Sequence, residues 1–334
     1  MPPTPTVENI TAAKVNNAPI LSVRGLKTYF HLSEGLVRAV DGVSFDVRPG
    51  RTLGLVGESG CGKSVTARSI LGIVDPPGRI EAGEIWLYGA TENPTAAPTN
   101  LAALPPRSAQ MRAIRGKEIA LIFQEPMSSF SHYYTVGNQI MEAIQEHSNA
   151  TRKQAHARAI ALLHTVGVPQ PERRVDEYPF QLSGGLRQRV MIAMALACDP
   201  RILIADEPTT ALDVTTQAQI LDLLRSLQEQ RGLALILITH DMGVIAEMAD
   251  DVVVMYLGRA VEKGSVDDIF HAPKHPYTRA LLRSIPHPFN RPAGCPFHPR
   301  CPEFIASLCD NAVPPVLTEA DGREVSCFLH GGRP

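Results

Sequence analysis

One short segment of the chain combines glycines with a lysine and a hydroxyl residue at a spacing that suits phosphate. The segment reads G-x-x-x-x-G-K-S, and its residues are Gly57, Glu58, Ser59, Gly60, Cys61, Gly62, Lys63 and Ser64. Glycines let successive backbone N–H groups curl inward around phosphate oxygens. The lysine can then reach the β- and γ-phosphates, and the serine hydroxyl can bind Mg²⁺. The segment therefore predicts a binding site for a nucleoside triphosphate and its magnesium ion.

The flanking residues predict the strand and the helix that such a loop needs. Residues 51–56 (R-T-L-G-L-V) are typical of a short buried strand, and Ser64–Ile73 is typical of a helix. A phosphate would lie at the N-terminus of that helix, where unpaired N–H groups and the helix dipole favour negative charge. The alternative is a glycine-rich turn without a ligand, and the flanking strand and helix argue against it.

Polar residues also follow three other apolar runs of the chain. Gln124 follows Ile119–Phe123, and His240 follows the run 233–239. Asp206 and Glu207 end the run that begins at residue 202. The carboxyl ends of parallel strands form the edge at which α/β proteins bind nucleotides. The two carboxylates suit Mg²⁺ binding and the activation of a water molecule.

A second glycine-rich stretch, L-S-G-G-L-R-Q-R, begins at Leu182. Ser183 suits the N-cap position of a helix that runs to Cys198. Gly184 and Gly185 leave the N–H groups of the first turn accessible, so this helix end could bind a second anion. An ordinary capped helix would explain the serine but not the paired glycines or the basic residues after them.

The rest of the pattern predicts an α/β fold. Alternating apolar residues in 21–26, 36–40 and 43–47 predict antiparallel strands before the phosphate loop, and residues 80–88 predict another strand. Val136–His147 and Arg152–Val166 predict helices that form an insert in the sheet. The aromatic pair Tyr29 and Phe30 could stack on an adenine ring or could fill the core.

Composition limits the classes of protein that fit. The 334 residues are 44% hydrophobic and carry a net charge of −2, so no basic patch for nucleic acid stands out. No apolar run approaches the roughly 18 residues of a membrane span, and residues 1–20 lack the pattern of a secretion signal. We therefore expect a cytoplasmic protein that reaches the membrane only through a partner. The composition of residues 1–18 predicts a disordered tail.

Taken in chain order, the motifs resemble those of ABC-transporter ATPases. The resemblance identifies a Walker A loop, a Q-loop at Gln124, a signature at Leu182–Gly185, a Walker B strand, a D-loop that ends at Asp213, and a switch histidine. It implies an ABC-type P-loop ATPase with a RecA-like core, an antiparallel β-subdomain and a helical subdomain at about 125–198. The nucleotide-binding domain would span residues 19–265.

The same resemblance implies a role for each candidate residue, with ATP and Mg²⁺ as cofactors. Glu207 would activate the attacking water and His240 would contact the γ-phosphate, in a head-to-tail dimer of ATPase subunits. The Mg²⁺ ion would be held by Ser64, Gln124 and Asp206. The other residues that would contact ATP, from this chain or its partner, are Lys63, Val65, Phe30, Ser183, Gly184, Gly185 and Asp213.

Residues 266–334 resemble the C-terminal extension of dipeptide and oligopeptide importer ATPases. The sequences K-H-P-Y-T-R-A-L-L at 274–282 and G-C-P-F-H-P-R-C at 294–301 carry this resemblance, and the signature is closer to the D-type subunit than to the F-type. It implies two transmembrane permeases, a second ATPase of the F type and an extracytoplasmic solute-binding protein as partners. The location would be the cytoplasmic face of the bacterial inner membrane, with peptides as the first candidate solutes.

Four of the six cysteines lie in the last forty residues, at Cys295, Cys301, Cys309 and Cys327. In a reducing cytosol this clustering suggests a metal more than disulfides, and thiolates suit both iron–sulfur clusters and zinc. The resemblance favours a 4Fe-4S cluster.

Two other classes of protein share some of these motifs. One is a soluble ABC ATPase that acts on DNA or ribosomes, and the single cassette and near-neutral charge argue against it. The other is a P-loop kinase, and the signature and His240 argue against that class. No nucleic-acid partner is therefore expected.

Overall fold

The computed structural model describes residues 18–89, 97–125, 129–283, 292–319 and 323–331. Apart from Ala18, the predicted disordered tail lies outside these ranges. The chain divides into two compact units, Met1–Ala272 and Pro273–Pro334. All the candidate nucleotide-site residues belong to the first unit, and the four clustered cysteines belong to the second.

The described strands of the first unit form two sheets. In chain order these strands are β1 (Leu21–Leu32), β2 (Gly35–Val47), β3 (Thr52–Val56), β4 (Gly78–Leu87), β5 (Thr99–Asn100), β6 (Ile119–Ile122), β7 (Ile202–Asp206), β8 (Ala234–Thr239), β9 (Asp251–Tyr256) and β10 (Arg259–Ser265). One sheet is antiparallel, with the order β2-β1-β4-β5. The other has the order β10-β9-β3-β8-β7-β6, in which all neighbours are parallel except β10 and β9.

Helices connect the strands of the parallel sheet. Those described in the first unit are α1 (Lys63–Ile70), α2 (Ala109–Ile114), α3 (Val136–His147), α4 (Arg152–Thr165), α5 (Pro171–Arg174), α6 (Gly184–Ala195), α7 (Val214–Arg231), α8 (Met242–Met248) and α9 (Val266–His271). Helices α3 to α6 lie between β6 and β7 in sequence, where the helical insert was predicted. The predicted α/β class is confirmed.

The parallel sheet is buried on both of its faces. Along β7, Leu203 and Ala205 belong to an apolar cluster with the helices α3, α4 and α6, and this cluster includes Ile140. Ile202 and Ile204 point the other way, into a cluster with the antiparallel sheet and α1. Successive side chains of a strand face opposite sides, so a continuous apolar run suits a central strand. The layers hold β7 and the carboxylates at its end in one position.

The second unit contains little regular structure. Its described elements are α10 (Pro276–Arg283), a short antiparallel pair, β11 (Leu317–Thr318) and β12 (Glu324–Val325), and two single-turn 3-10 helices at His298–Arg300 and Phe328–His330. The first unit extends beyond residue 265, because α9 belongs to it. The functional division into a nucleotide-binding domain at 19–265 and an extension at 266–334 stays a prediction. Within the described ranges, no helix is long and apolar enough to cross a membrane.

Candidate nucleotide-binding site

The phosphate loop joins the carboxyl end of β3 to the N-terminus of α1, as the sequence predicted. Gly57, Gly60 and Gly62 all have positive φ, at 153°, 79° and 100°. Gly62 is the N-cap of α1 and offers no side chain there. The N–H groups of the first turn of α1 have no intrahelical partner, so they are available to an anion.

Two stretches of backbone, around residue 39 and at 255–258, pack closely behind this loop. A Cβ at Gly57 would overlap the carbonyl oxygen of Met255, and a Cβ at Gly62 would overlap that of Ala39. The N–H of Gly258, in the turn after β9, donates to the carbonyl oxygen of Cys61 at 3.0 Å. The shape of the loop is therefore set by contacts of main chain with main chain, which leave no room for side chains at these glycines.

Lys63 lies inside the loop and is almost fully buried, with 4% of its surface exposed. Its ammonium donates to the carbonyl oxygens of Gly57 at 2.7 Å and Glu58 at 2.9 Å. These acceptors are neutral, and no carboxylate among the described residues forms an ion pair with this ammonium. A third hydrogen bond joins the ammonium to the sulfur of Cys61 at 3.7 Å. A buried cation whose partners among the described residues are neutral suits a phosphate ligand.

Ser64 and Asp206 provide a pair of oxygen atoms beside the loop. The Ser64 hydroxyl donates to Oδ1 of Asp206 at 3.0 Å. Burial at the end of β7 raises the pKa of Asp206, and the hydrogen bond from Ser64 offsets only part of this effect. A hydroxyl and a buried carboxylate fit the hard oxygen ligands that Mg²⁺ prefers.

The carboxylate of Glu207 is the point at which the other motifs meet. It accepts hydrogen bonds from Nε2 of Gln124 at 3.1 Å and from the hydroxyl of Thr210 at 2.8 Å. Nδ1 of His240 lies 3.2 Å from its other oxygen. The Glu207 backbone has a positive φ of 46°, and its N–H donates to the carbonyl oxygen of Ile238 in β8. The structure thus brings Gln124, Glu207 and His240 together, as their places at strand ends predicted.

The signature stretch forms the start of α6. Ser183 is the N-cap, and its hydroxyl accepts from the N–H of Leu186 at 3.4 Å, as the sequence predicted. Gly184 faces open space except for Leu212, whereas Gly185 packs directly on Thr216. The contacts described for these two glycines are with the 212–216 segment.

Asp213 and Phe30 have local partners in this structure. Asp213 is the N-cap of α7, and its carboxylate accepts from the N–H of Thr216 at 2.9 Å and from the Thr216 hydroxyl at 2.7 Å. These two hydrogen bonds lower the pKa of Asp213. The ring of Phe30 lies against Gly78, and the hydroxyl of Tyr29 donates to Asp41 at 2.8 Å. Nucleotide contacts by Phe30 and Asp213 stay predictions.

Thr210 and the 255–258 segment also belong to the site, although the sequence motifs do not include them as site residues. Thr210 lies three residues after Glu207, within the stretch already singled out, so the sequence carried a signal for it. The turn that contacts the phosphate loop through Gly258 lies almost two hundred residues away in sequence and carries no motif.

The four C-terminal cysteines do not form a recognisable metal site. All four lie in the described ranges, yet within those ranges no three His, Cys, Asp or Glu side chains are grouped so that they could hold a metal. Cys295 and Cys309 are neighbours through the backbone, where the N–H of Cys295 donates to the carbonyl oxygen of Cys309 at 2.8 Å. The geometry therefore does not fit an iron–sulfur cluster.

A phosphate loop on the central strand of a parallel sheet, with acidic residues at the end of a nearby strand, defines a P-loop ATPase. Two family models match the chain: "ABC transporter" at residues 40–210, and "Oligopeptide/dipeptide transporter, C-terminal region" at residues 261–292. The chain belongs to the ABC transporter family, as an ATPase subunit.

Curated relatives match almost the whole chain. The dipeptide transport ATP-binding protein DppD of Escherichia coli is 45% identical over 94% of this chain and 99% of its own length. DppD of Haemophilus influenzae is 46% identical, over 92% and 94% of the two chains. The oligopeptide transport ATP-binding protein AppD of Bacillus subtilis is 46% identical, over 93% and 97%. The predicted resemblance to importer ATPases is confirmed.

Solved structures support the fold. The dimeric structure of MJ0796, described as a bacterial ABC transporter cassette, is 26% identical and has a TM-score of 0.63. The alignment covers 74% of this chain and 98% of the MJ0796 chain. A second MJ0796 structure, a post-hydrolysis state bound to ADP and phosphate, is 24% identical, also with a TM-score of 0.63. The predicted ABC-type ATPase fold is confirmed.

Proposed function

We propose that this chain is one of two ATPase subunits of a peptide importer and that its hydrolysis of Mg-ATP drives uptake through two membrane permeases. The observation that carries the catalytic part is the Glu207 carboxylate, which Gln124, Thr210 and His240 surround beside the Ser64–Asp206 pair. The names of the relatives and the match at 261–292 support peptides as the solute.

Each residue of the site has a task in this proposal. Lys63 and the amides of the phosphate loop bind and orient the phosphates, and Ser64, Gln124 and Asp206 would hold the magnesium ion. That ion, when bound, offsets the negative charge of the phosphates. Glu207 accepts a proton from the attacking water, and Gln124 and His240 hold its carboxylate in place until nucleotide binds.

The ATP site is completed by a second ATPase subunit. Ser183, Gly184 and Gly185 of this chain would contact the nucleotide of that partner, because their N–H groups start a helix and two of the three residues are exposed. We propose an F-type paralogue as the partner, since the signature L-S-G-G-L-R-Q-R resembles the D type. An extracytoplasmic solute-binding protein would deliver the peptide. The chain would work at the cytoplasmic face of the inner membrane, peripherally.

The test of the catalytic assignment is Glu207→Gln. This variant should bind Mg-ATP with the affinity of the wild type, while phosphate release falls by roughly a hundredfold or more, because the amide cannot accept the proton. Glu229→Gln is the matched control, since Glu229 is an exposed glutamate on α7 away from the site. Phosphate release and nucleotide affinity are measured for all three proteins in the assembled transporter. Normal turnover by Glu207→Gln would rule out Glu207 as the base.

The C-terminal cysteines carry a separate proposal, a 4Fe-4S cluster, which rests on the resemblance of the extension and not on the geometry. The matched family model ends at residue 292, before Cys295. Anaerobic purification with iron and sulfide analysis tests it: about four irons per chain, lost in Cys301→Ser, would support the cluster. Stoichiometric zinc or no metal would reject it and would leave the ATPase proposal unchanged.

A further inference from the structure

Thr216 lies between the signature helix and the segment that follows Glu207. Its methyl carbon is 2.7 Å from the position that a Cβ would take at Gly185, so this methyl group occupies the space of the missing side chain. A Cβ at Gly184 would instead meet only Leu212, at 3.8 Å. The two glycines of the signature therefore differ: Gly185 has its neighbour within the chain, and Gly184 faces outward.

The position of Thr216 is fixed from its other side by Asp213. The two oxygens of the Asp213 carboxylate accept from the N–H and from the hydroxyl of Thr216. Because the hydroxyl is held by Asp213, the methyl group has to point elsewhere, and it points at Gly185. A β-branched side chain that holds both substituents in this way has little freedom at χ1.

Residues 207–213 form a compact turn that leads from the base to this contact. The N–H and the hydroxyl of Thr210 donate to the backbone carbonyl and to the carboxylate of Glu207. Leu212 donates its N–H to the carbonyl oxygen of Thr209 at 3.3 Å. Hydrogen bonds within the segment between Glu207 and Asp213 thus stabilise its turn.

A second contact joins the two helices one turn further on. The guanidinium of Arg189 in α6 donates to the side-chain oxygen of Gln219 in α7 at 3.2 Å. Arg189 follows Gly185 by four residues and Gln219 follows Thr216 by three, so both contacts lie on the same helix faces. The start of α6 is therefore held on α7 by packing at one turn and by a hydrogen bond at the next.

We propose that Thr216 is a positioning residue that fixes Gly185, and with it the start of the signature helix, to the 207–213 segment. The proposal rests on the proposed function, in which Ser183–Gly185 contact the nucleotide of the partner subunit. A displacement of Glu207 and its turn would move Asp213, then Thr216, and with it the start of α6. One threonine thereby connects two nucleotide sites: the site at which this chain hydrolyses ATP, and the partner's site, which this chain completes with its signature residues.

The proposal explains why position 185 needs a glycine. An alanine there would overlap the Thr216 methyl group, and a serine at position 216 would remove that methyl group while it keeps the hydroxyl bonded to Asp213. Gly185→Ala should therefore be harmful, and Thr216→Ser should relieve it. Gly184→Ala is the matched control, because its Cβ would have no close neighbour within the chain and Thr216→Ser offers it no relief.

The experiment is a double-mutant cycle on the assembled transporter. We expect Gly185→Ala to lower kcat about tenfold or more, and the double variant Gly185→Ala/Thr216→Ser to return to within about threefold of Thr216→Ser alone. The affinity of this chain's own phosphate loop for Mg-ATP should stay unchanged in all variants. A general structural defect would be expected to lower that affinity as well. Thermal unfolding of each variant is measured in parallel, and any loss caused by Gly185→Ala should also be reversed by Thr216→Ser.

Three results would overturn the proposal. These are full activity of Gly185→Ala, a double variant as impaired as Gly185→Ala, and equal relief of Gly184→Ala by Thr216→Ser. Failure of the proposed function has a different signature, because the wild-type transporter would then hydrolyse ATP without any need for a second ATPase subunit or would not hydrolyse it at all. In that case the unfolding data still decide whether Thr216 packs on Gly185.

Discussion

Gly62→Ala is the substitution for which the structure of the phosphate loop makes the sharpest prediction. Gly62 has a φ of 100°, and a Cβ there would overlap the carbonyl oxygen of Ala39. Gly60 has a φ of 79° and nothing within 4 Å of the position of its Cβ. Both variants place an alanine in the left-handed region of a loop that binds phosphate, and only one of them adds a clash. Gly60→Ala is therefore the matched control.

The expected cost follows from these two terms. A non-glycine residue at such a φ costs about 1–3 kcal/mol. Overlap with a backbone atom that cannot rotate away adds about 1–3 kcal/mol at position 62 alone. The difference between the two variants corresponds to about 5- to 150-fold in Mg-ATP affinity. If the loop keeps its shape despite the overlap, part of that difference will appear as a lower free energy of unfolding and not as a lower affinity.

Two measurements on each variant capture the whole effect. Isothermal titration with Mg-ATP gives the affinity, and thermal unfolding without nucleotide gives the stability. The summed loss for Gly62→Ala should exceed the summed loss for Gly60→Ala. Equal sums would show that contact between Gly62 and Ala39 does not shape the loop, and the reasoning on backbone packing would be refuted.

Two further predictions concern Asp206, the proposed magnesium ligand, and Phe30, the proposed contact of adenine. Burial raises the pKa of Asp206, so its ionised form lowers stability at pH values above that raised pKa, and this cost is lost as the pH falls from the raised pKa to the usual pKa of an aspartate. Asp206→Asn should therefore raise the Tm of the nucleotide-free protein, by about 2–4 °C for each kcal/mol relieved, and abolish the further rise that Mg-ATP causes in the wild type; the exposed Asp222→Asn should do neither. Phe30→Ala should weaken ATP binding about tenfold while Phe30→Tyr retains it, if Phe30 stacks on adenine. A loss seen in titrations of Tyr29→Ala but not of Phe30→Ala would identify Tyr29 instead.

The local elements were predictable because their signals lie within a few residues. The helix predicted at Val136–His147 is found with the same bounds, and Thr135 caps it by accepting from the N–H of Asn138. The helix predicted at Arg152–Val166 ends one residue earlier, and Thr151 and Gln154 form a capping box at its start. Cap residues and apolar spacing are neighbours in sequence, so a single chain suffices to identify them.

The site was predictable as a set of residues, but not as a set of contacts. Strand ends placed Gln124, Glu207 and His240 at one edge, and the structure joins them there. The hydrogen bond of Thr210 to Glu207 and the packing of Thr216 on Gly185 depend on side-chain rotamers and on helix orientation, which no spacing encodes. The C-terminal cysteines show the opposite case: they are clustered in sequence, but no grouped set of metal ligands is found in the part of the chain that the structure describes.

Strand β7 belongs to two hydrophobic cores at once, since Leu203 and Ala205 enter one and Ile202 and Ile204 enter the other. Its backbone amides can reach solvent only when both cores open together, so their hydrogen exchange should report global unfolding. Asp206 is the last residue of that strand and Glu207 follows it directly, whereas the 210–213 segment is largely exposed. The carboxylates of Asp206 and Glu207 are therefore attached to a long-lived part of the fold, and we expect the exposed amides just after them to exchange on a much shorter timescale.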